Sequence, residues 1–205
     1  MKLLLTGFEP FGGSRVNPSE QVVQELARRT FTRIQLHTVI LSVDRDRGPA
    51  QLLEAVRAVE PEAVLCLGLA ERRPALSVER LAINLLDFGI ADNSGRQEVD
   101  RPIVPGGPAA YFVTLPVRAL VAAIRAAGVP AELSLSAGTF LCNQVLYMLL
   151  HNLTPASIPV PPAAGFIHLP ALPEQATQSP LPMASMSLDT MLKGISAAIE
   201  ALGAA

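Results

Sequence analysis

Five consecutive apolar residues, Ala63-Val64-Leu65-Cys66-Leu67, stand between Glu62 and Gly68. A strand with one wet face alternates apolar and polar residues. A strand apolar on both faces needs cover on both sides, and parallel sheets obtain that cover from crossover helices. The rest of the chain supplies both parts. Lys2–Thr6, Ile34–Leu41 and Ala164–His168 read as further strands, Glu132–Leu135 as a short one, and Ser77–Leu86 as strand-like. Helical spacing appears over Arg47–Val59, Leu115–Ala127, Cys142–Leu153 and Ser187–Leu202. Asn17-Pro18-Ser19-Glu20 predicts another helix start, with Asn17 as cap, Pro18 in the first position and Glu20 closing a capping box. Val22, Val23 and Leu26 give that helix its apolar face. This alternation predicts an α/β fold: a three-layer α/β/α sandwich with a largely parallel or mixed central sheet. No linker or internal repeat interrupts it, so residues 1–205 are expected to form a single domain.

Composition narrows the partners. Net charge is −2, charged residues are 17 % and there is no Trp. Phosphate backbones are held by clustered Lys and Arg, and single strands stack on aromatics, so no nucleic acid partner is expected. Mean hydropathy is +0.37, but no apolar stretch reaches the roughly 18–20 residues of a membrane span. Met1–Leu5 turns polar at Thr6 and lacks the length and cleavage site of a signal peptide, so a cytoplasmic location is expected. Two cysteines, Cys66 and Cys142, fit a reducing compartment.

Two stretches read as loops. Pro155–Pro182 holds eight prolines, and proline blocks helix interiors, so it is expected to be loop apart from the strand before His168. Asn93–Pro108 is the other. Each is either a lid or an ordinary surface connection.

Chemistry concentrates on a few side chains. Cys66 lies inside the apolar run and reads as a small buried hydrophobe. Cys142 opens a helix whose buried side is Val145, Leu146, Leu149, Leu150 and Leu153. With Thr139 as cap, Cys142 falls in the first turn, where free N–H groups and the helix dipole stabilise a thiolate or hold an oxyanion. Such a thiol is either a nucleophile or inert. Of three histidines, His151 closes the same helix and His37 is mid-strand, and both read as structural. His168 ends a strand, the position from which open α/β sheets build sites, and is the best base. Glu79, between Val78 and Leu81-Ala82-Ile83, is either the carboxylate that orients that base or half of a surface pair with Arg80. There is no Cys-x-x-Cys or His-x-x-x-His, and Gly7…Gly12-Gly13 is no phosphate loop, so neither metal nor cofactor is expected.

Four ordered motifs add a resemblance. Thr6-Gly7-Phe8-Glu9-Pro10-Phe11-Gly12-Gly13 with Asn17-Pro18-Ser19, Ser77-Val78-Glu79-Arg80-Leu81-Ala82-Ile83-Asn84, Ser136-Ala137-Gly138-Thr139-Phe140-Leu141-Cys142-Asn143 and Gly165-Phe166-Ile167-His168-Leu169-Pro170 are similar to segments of the pyroglutamyl peptidase I (pyrrolidone-carboxylate peptidase) family. Leu172-Pro173-Glu174-Gln175 matches as well. The resemblance implies a cysteine peptidase that removes N-terminal pyroglutamate from peptides, without cofactor, through a Cys142-His168-Glu79 triad and a thioester. It also implies a lactam pocket of Phe8, Phe11, Asn17, Leu69, Ile90, Phe140 and Leu141, and a homo-oligomer, dimer or tetramer.

The chain departs from the family twice. Gly68-Leu69-Ala70-Glu71-Arg72-Arg73 puts Leu69 where the family has a glutamine associated with the lactam. A main-chain contact would survive that change; an amide contact would not. Phe88-Gly89-Ile90-Ala91-Asp92-Asn93 puts Gly89 in place of an arginine near the oxyanion, for which Arg72 or Arg73 is a possible substitute. Two other readings therefore stand beside the peptidase: a thiol acyl hydrolase for another small amide, and a pyroglutamate-binding protein with little turnover.

Overall fold

The computed structural model describes residues 1–154 and 160–204. The apolar run becomes β3 (Ala63–Leu69), every residue of which is buried up to Gly68. It is flanked by β1 (Lys2–Phe8) and β8 (Ala163–Leu169), to which it pairs in parallel. β2 (Gln35–Leu41) extends the parallel set beyond β1. On the other side β4 (Leu76–Glu79) runs antiparallel to β8, and β7 (Ala131–Ser134) lies parallel to β4. The six-stranded order is β2-β1-β3-β8-β4-β7, a mixed and mostly parallel sheet.

Helices cover both faces. α6 (Leu188–Gly203) packs on α1 (Pro18–Leu26) and α3 (Val117–Ala126), while α2 (Arg47–Val59) packs on α4 (Leu141–Leu153). Each turns an apolar stripe to the sheet; Val22, Val23 and Leu26 of α1 are fully buried. The α1 start is capped by Asn17, whose Oδ1 accepts the Ser19 N–H at 3.0 Å and the Ser19 hydroxyl at 2.8 Å. Ser19, not Glu20, thus completes the cap. Among the described residues no helix is long and apolar enough to cross a membrane.

Two expected elements differ. Ser77–Leu86 is not one strand: the chain leaves the sheet at Arg80, and β5 (Leu81–Ile83) pairs antiparallel with β6 (Ala110–Phe112) in a separate two-stranded sheet. Arg80 is the pivot, its N–H donating to Ser134 O at 2.8 Å and its carbonyl accepting from Val113 N–H at 3.1 Å. The proline-rich stretch also holds a short helix, α5 (Pro173–Gln178). Pro173 sits in its first turn, where a missing N–H costs nothing. Of the same stretch, 155–159 lie outside the described residues.

Candidate active site

Strand register assembles the polar side chains. Gly68 of β3 and Ser77 of β4 both pair with His168 of β8. Side chains alternate faces, so Glu79, two residues after Ser77, shares the His168 face as its diagonal neighbour. His168 Nδ1 lies 2.7 Å from Glu79 Oε1, and both residues are buried, at 3 % and 0 % exposure. Arg73 joins from the loop after β3. Its Nη1 donates to the same Oε1 at 2.6 Å and its Nη2 to Ser136 O at 2.7 Å. Glu79 Oε2 is buried without a partner among the described residues. The pair with Arg80 is not made; the Arg80 guanidinium stands 5.5 Å over the Phe112 ring.

Cys142 approaches from above this face as the second residue of α4. Its sulfur rests where Gly68 has no side chain: a Cβ there would lie 2.7 Å from Sγ and 2.7 Å from Phe166 Cζ. The helix start differs from the expected one. Phe140, in extended conformation, is the N-cap and supplies no side-chain cap bond. Thr139 instead faces the loop after β5, its Oγ1 donating to Asp87 O at 2.6 Å. The α4 start is held by Asn143, fully buried, which accepts from Ile83 N–H at 2.9 Å and donates to Ile83 O and Leu85 O at 2.9 and 3.1 Å.

The protonation states oppose a resting thiolate. Burial first, then the negative charge of Glu79, pushes the Cys142 thiol up to about 12, against the opposing influence of Arg73 and of the residue's own N–H. The helix-start amides are therefore outweighed, because desolvation in a site this apolar penalises the anion more than they favour it. Burial likewise lowers His168 below its ordinary 6.5, although its bond to Glu79 acts the other way. Burial thus disfavours both the thiolate and the imidazolium. Cys66 is fully buried, and burial pushes it up to about 12 as well.

Cys142 and His168 open into one cavity of about 200 Å³. Phe8, Phe11, Phe140, Leu141 and Leu69 line it. Phe140 meets Phe11 and Phe88 with ring centroids 5.9 and 4.7 Å away. Asn17 also borders it, but its amide is engaged locally, donating to Glu9 O at 3.0 Å besides accepting from Ser19. Ile90 is not among the lining residues. It is 47 % exposed and packs beside Gly12, because the turn after Phe88 carries it outward. Val43, Ala70, Arg73, Ala137 and Gly138 complete the wall. Small apolar residues in loops carry no periodic signal, so only the tertiary structure reveals them. Arg73 was legible as one of two arginines able to stand in near the oxyanion, not as the partner of Glu79.

A hydrogen-bonded network braces the cavity mouth. Glu9 Oε1 accepts from Val43 N–H and from Asn93 Nδ2, both at 2.9 Å. Asp92 accepts from the N–H groups of Arg45, Ser94 and Arg96. Burial works against its charge, yet those donors and the Ser94 hydroxyl prevail and hold its carboxyl below the usual range. The Asn93–Pro108 loop is thus anchored where it begins. The other histidines lie elsewhere: His151 Nδ1 is 2.8 Å from the Tyr111 hydroxyl, and His37 is on β2.

The chain is similar to known proteins over its whole length. A family model for pyroglutamyl peptidase matches residues 1–204. The chain belongs to the pyroglutamyl peptidase family. It is accordingly a peptidase of the hydrolase class. A pyrrolidone-carboxylate peptidase of Gloeobacter violaceus is 49 % identical over 98 % of this chain and 97 % of its own. One from Vibrio vulnificus is 47 % identical over 95 % of this chain and 89 % of its own. The crystal structure of Bacillus amyloliquefaciens pyroglutamyl peptidase I superposes with a TM-score of 0.94 at 38 % identity, covering 100 % of this chain and 97 % of that one.

Proposed function

We propose that this member of the pyroglutamyl peptidase family hydrolyses the amide after an N-terminal pyroglutamyl residue, with Cys142 as nucleophile, His168 as base and acid, and Glu79 as orienting carboxylate. The observation that carries the reading is that Cys142 and a Glu79-bound His168 open into the same small aromatic cavity. A five-membered lactam has flat apolar faces and a polar amide edge. Phe8, Phe11 and Phe140 suit the faces, and main-chain groups suit the edge. A free glutamyl terminus would bury an unpaired ammonium there and is excluded.

Because burial disfavours both thiolate and imidazolium, the proton moves as attack begins. His168 Nε2 takes the Cys142 proton while Sγ bonds to the scissile carbonyl carbon. The oxyanion meets the first-turn N–H groups of α4. Glu79 holds Nδ1–H and stabilises the imidazolium that forms. His168 then protonates the leaving amine, the C–N bond breaks, and a thioester remains. Water, deprotonated by His168, cleaves it and releases pyroglutamate and the free thiol.

Release of a fluorophore from a pyroglutamyl aryl amide, in reducing buffer, tests the reading. Wild type should turn over and Cys142→Ala should not. Pyroglutamate binding without turnover would make the cavity a binding site. Neither binding nor turnover would move the substrate to another small amide.

A further inference from the structure

The cavity holds one residue. At about 200 Å³ it lies below the roughly 300–1,000 Å³ of pockets that enclose drug-sized ligands. The rest of a peptide substrate must leave past its rim. Two open grooves are lined by residues that directly follow two cavity-lining ones along the chain. Beyond Phe11 the chain passes through Gly12, Gly13 and Ser14, and beyond Ala70 through Glu71 and Arg72. The two grooves, about 370 and 400 Å³, share Glu71, Ser179, Pro180 and Met183, so they join at that corner. Gln175 secures the far side. Its Oε1 accepts from Leu172 N–H at 2.9 Å, and its Nε2 lies 3.4 Å from Ser14 Oγ and Val16 O.

Glu71 is exposed at the junction. Among the described residues it forms no ion pair. Arg72 borders only one of the two grooves, so Glu71 is the charged side chain common to both. Gln178 places an exposed amide along one wall, suited to peptide N–H and C=O groups. We propose that the joined groove is the subsite for the leaving portion of the peptide, and that Glu71 makes it favour cationic side chains in the first residues after pyroglutamate. The proposal rests on the pyroglutamyl peptidase reading above. The groove's depth and polarity suit an extended, solvated chain, which needs main-chain partners and one charge contact.

The test compares three substrates: pyroglutamyl-Lys-Lys-Ala amide, pyroglutamyl-Glu-Glu-Ala amide and a pyroglutamyl aryl amide that ends before the groove. Wild type should prefer the lysine peptide by about two- to fivefold in kcat/KM, the scale of an exposed ion pair, and the preference should shrink in high salt. Glu71→Lys should reverse the preference and leave the aryl amide within about twofold, because an exposed pair contributes only at the groove. Met183→Trp, narrowing the shared floor, should raise KM for both peptides and spare the aryl amide. Unchanged peptide preference in Glu71→Lys with full aryl amide turnover would overturn the subsite alone. No aryl amide turnover in wild type would overturn the peptidase reading and the subsite with it.

Discussion

Gly68→Ala tests how closely the nucleophile is fitted to the sheet. The added methyl would stand 2.7 Å from both Cys142 Sγ and Phe166 Cζ. Ordinary van der Waals contact begins near 3.4–4 Å, so each must retreat by roughly 1 Å, the scale at which misplaced reacting groups lose about 10²-fold in rate. Phe166 has no room to spare, and the sulfur can retreat only by leaving its fitted place for the cavity it borders. Phe166 is 1 % exposed in the core, and the sulfur is carried on a helix start that Asn143 fixes to β5. Overpacking of this kind costs about 1–3 kcal/mol. Removing a glycine's freedom from the unfolded chain offsets about 0.4–1 kcal/mol, so crowding wins. For a chain of this size each kcal/mol lowers Tm by about 2–4 °C. The expected variant folds, melts lower by several degrees and loses about 10²-fold in kcat, with little change in KM for an aryl amide. Steady-state kinetics and thermal unfolding on the same preparation measure both. A variant with kcat within threefold of wild type and an unchanged Tm would refute the close fit of Sγ over Gly68.

Three further outcomes are expected. The acid limb of kcat/KM should fall below pH 6.5, because His168 must be neutral to accept the thiol proton and burial lowers its pKa from that value; a limb above pH 7 in a pH–rate profile would contradict it. The same group makes stability pH-dependent. Its contribution is fully present above about 6.5 and is lost as pH falls through the lower folded value. Iodoacetamide should modify Cys142 well before Cys66, because both thiols are raised to about 12 and only Cys142 is partly exposed; equal labelling by mass spectrometry would count against Cys142 as nucleophile. Gly89→Arg should fold normally, since a Cβ at Gly89 meets nothing within 4 Å, and should raise kcat by up to the 10²–10³-fold of one oxyanion donor. No gain would show that Gly89 is not a missing donor.

The sequence determines what depends on neighbours along the chain. The apolar run 63–67 required a sheet covered on both faces, and β3 is buried to Gly68. Asn17 and Pro18 marked the start of α1, and the first-turn position of Cys142 was legible from the helix that follows it. Ordered motifs named the family. Less was legible where long-range pairing chooses among local options. Nothing local says that Arg80 breaks the 77–86 segment into two sheets, or that β4 runs against β8 and so places Glu79 on the His168 face. Ile90 looked like pocket and is at the surface, while Arg73, read as one of two arginines able to stand in near the oxyanion, grips Glu79. The protonation state was decided at the same level. A helix start favours a thiolate; here apolar surroundings and the nearby charge of Glu79 outweigh it. Periodicity and residue type carry fold class and chemical potential, because both act over a few residues. Register, burial and the distances between Glu79, Cys142 and His168 arise only when distant segments pack, because those energies belong to pairs the sequence does not place side by side.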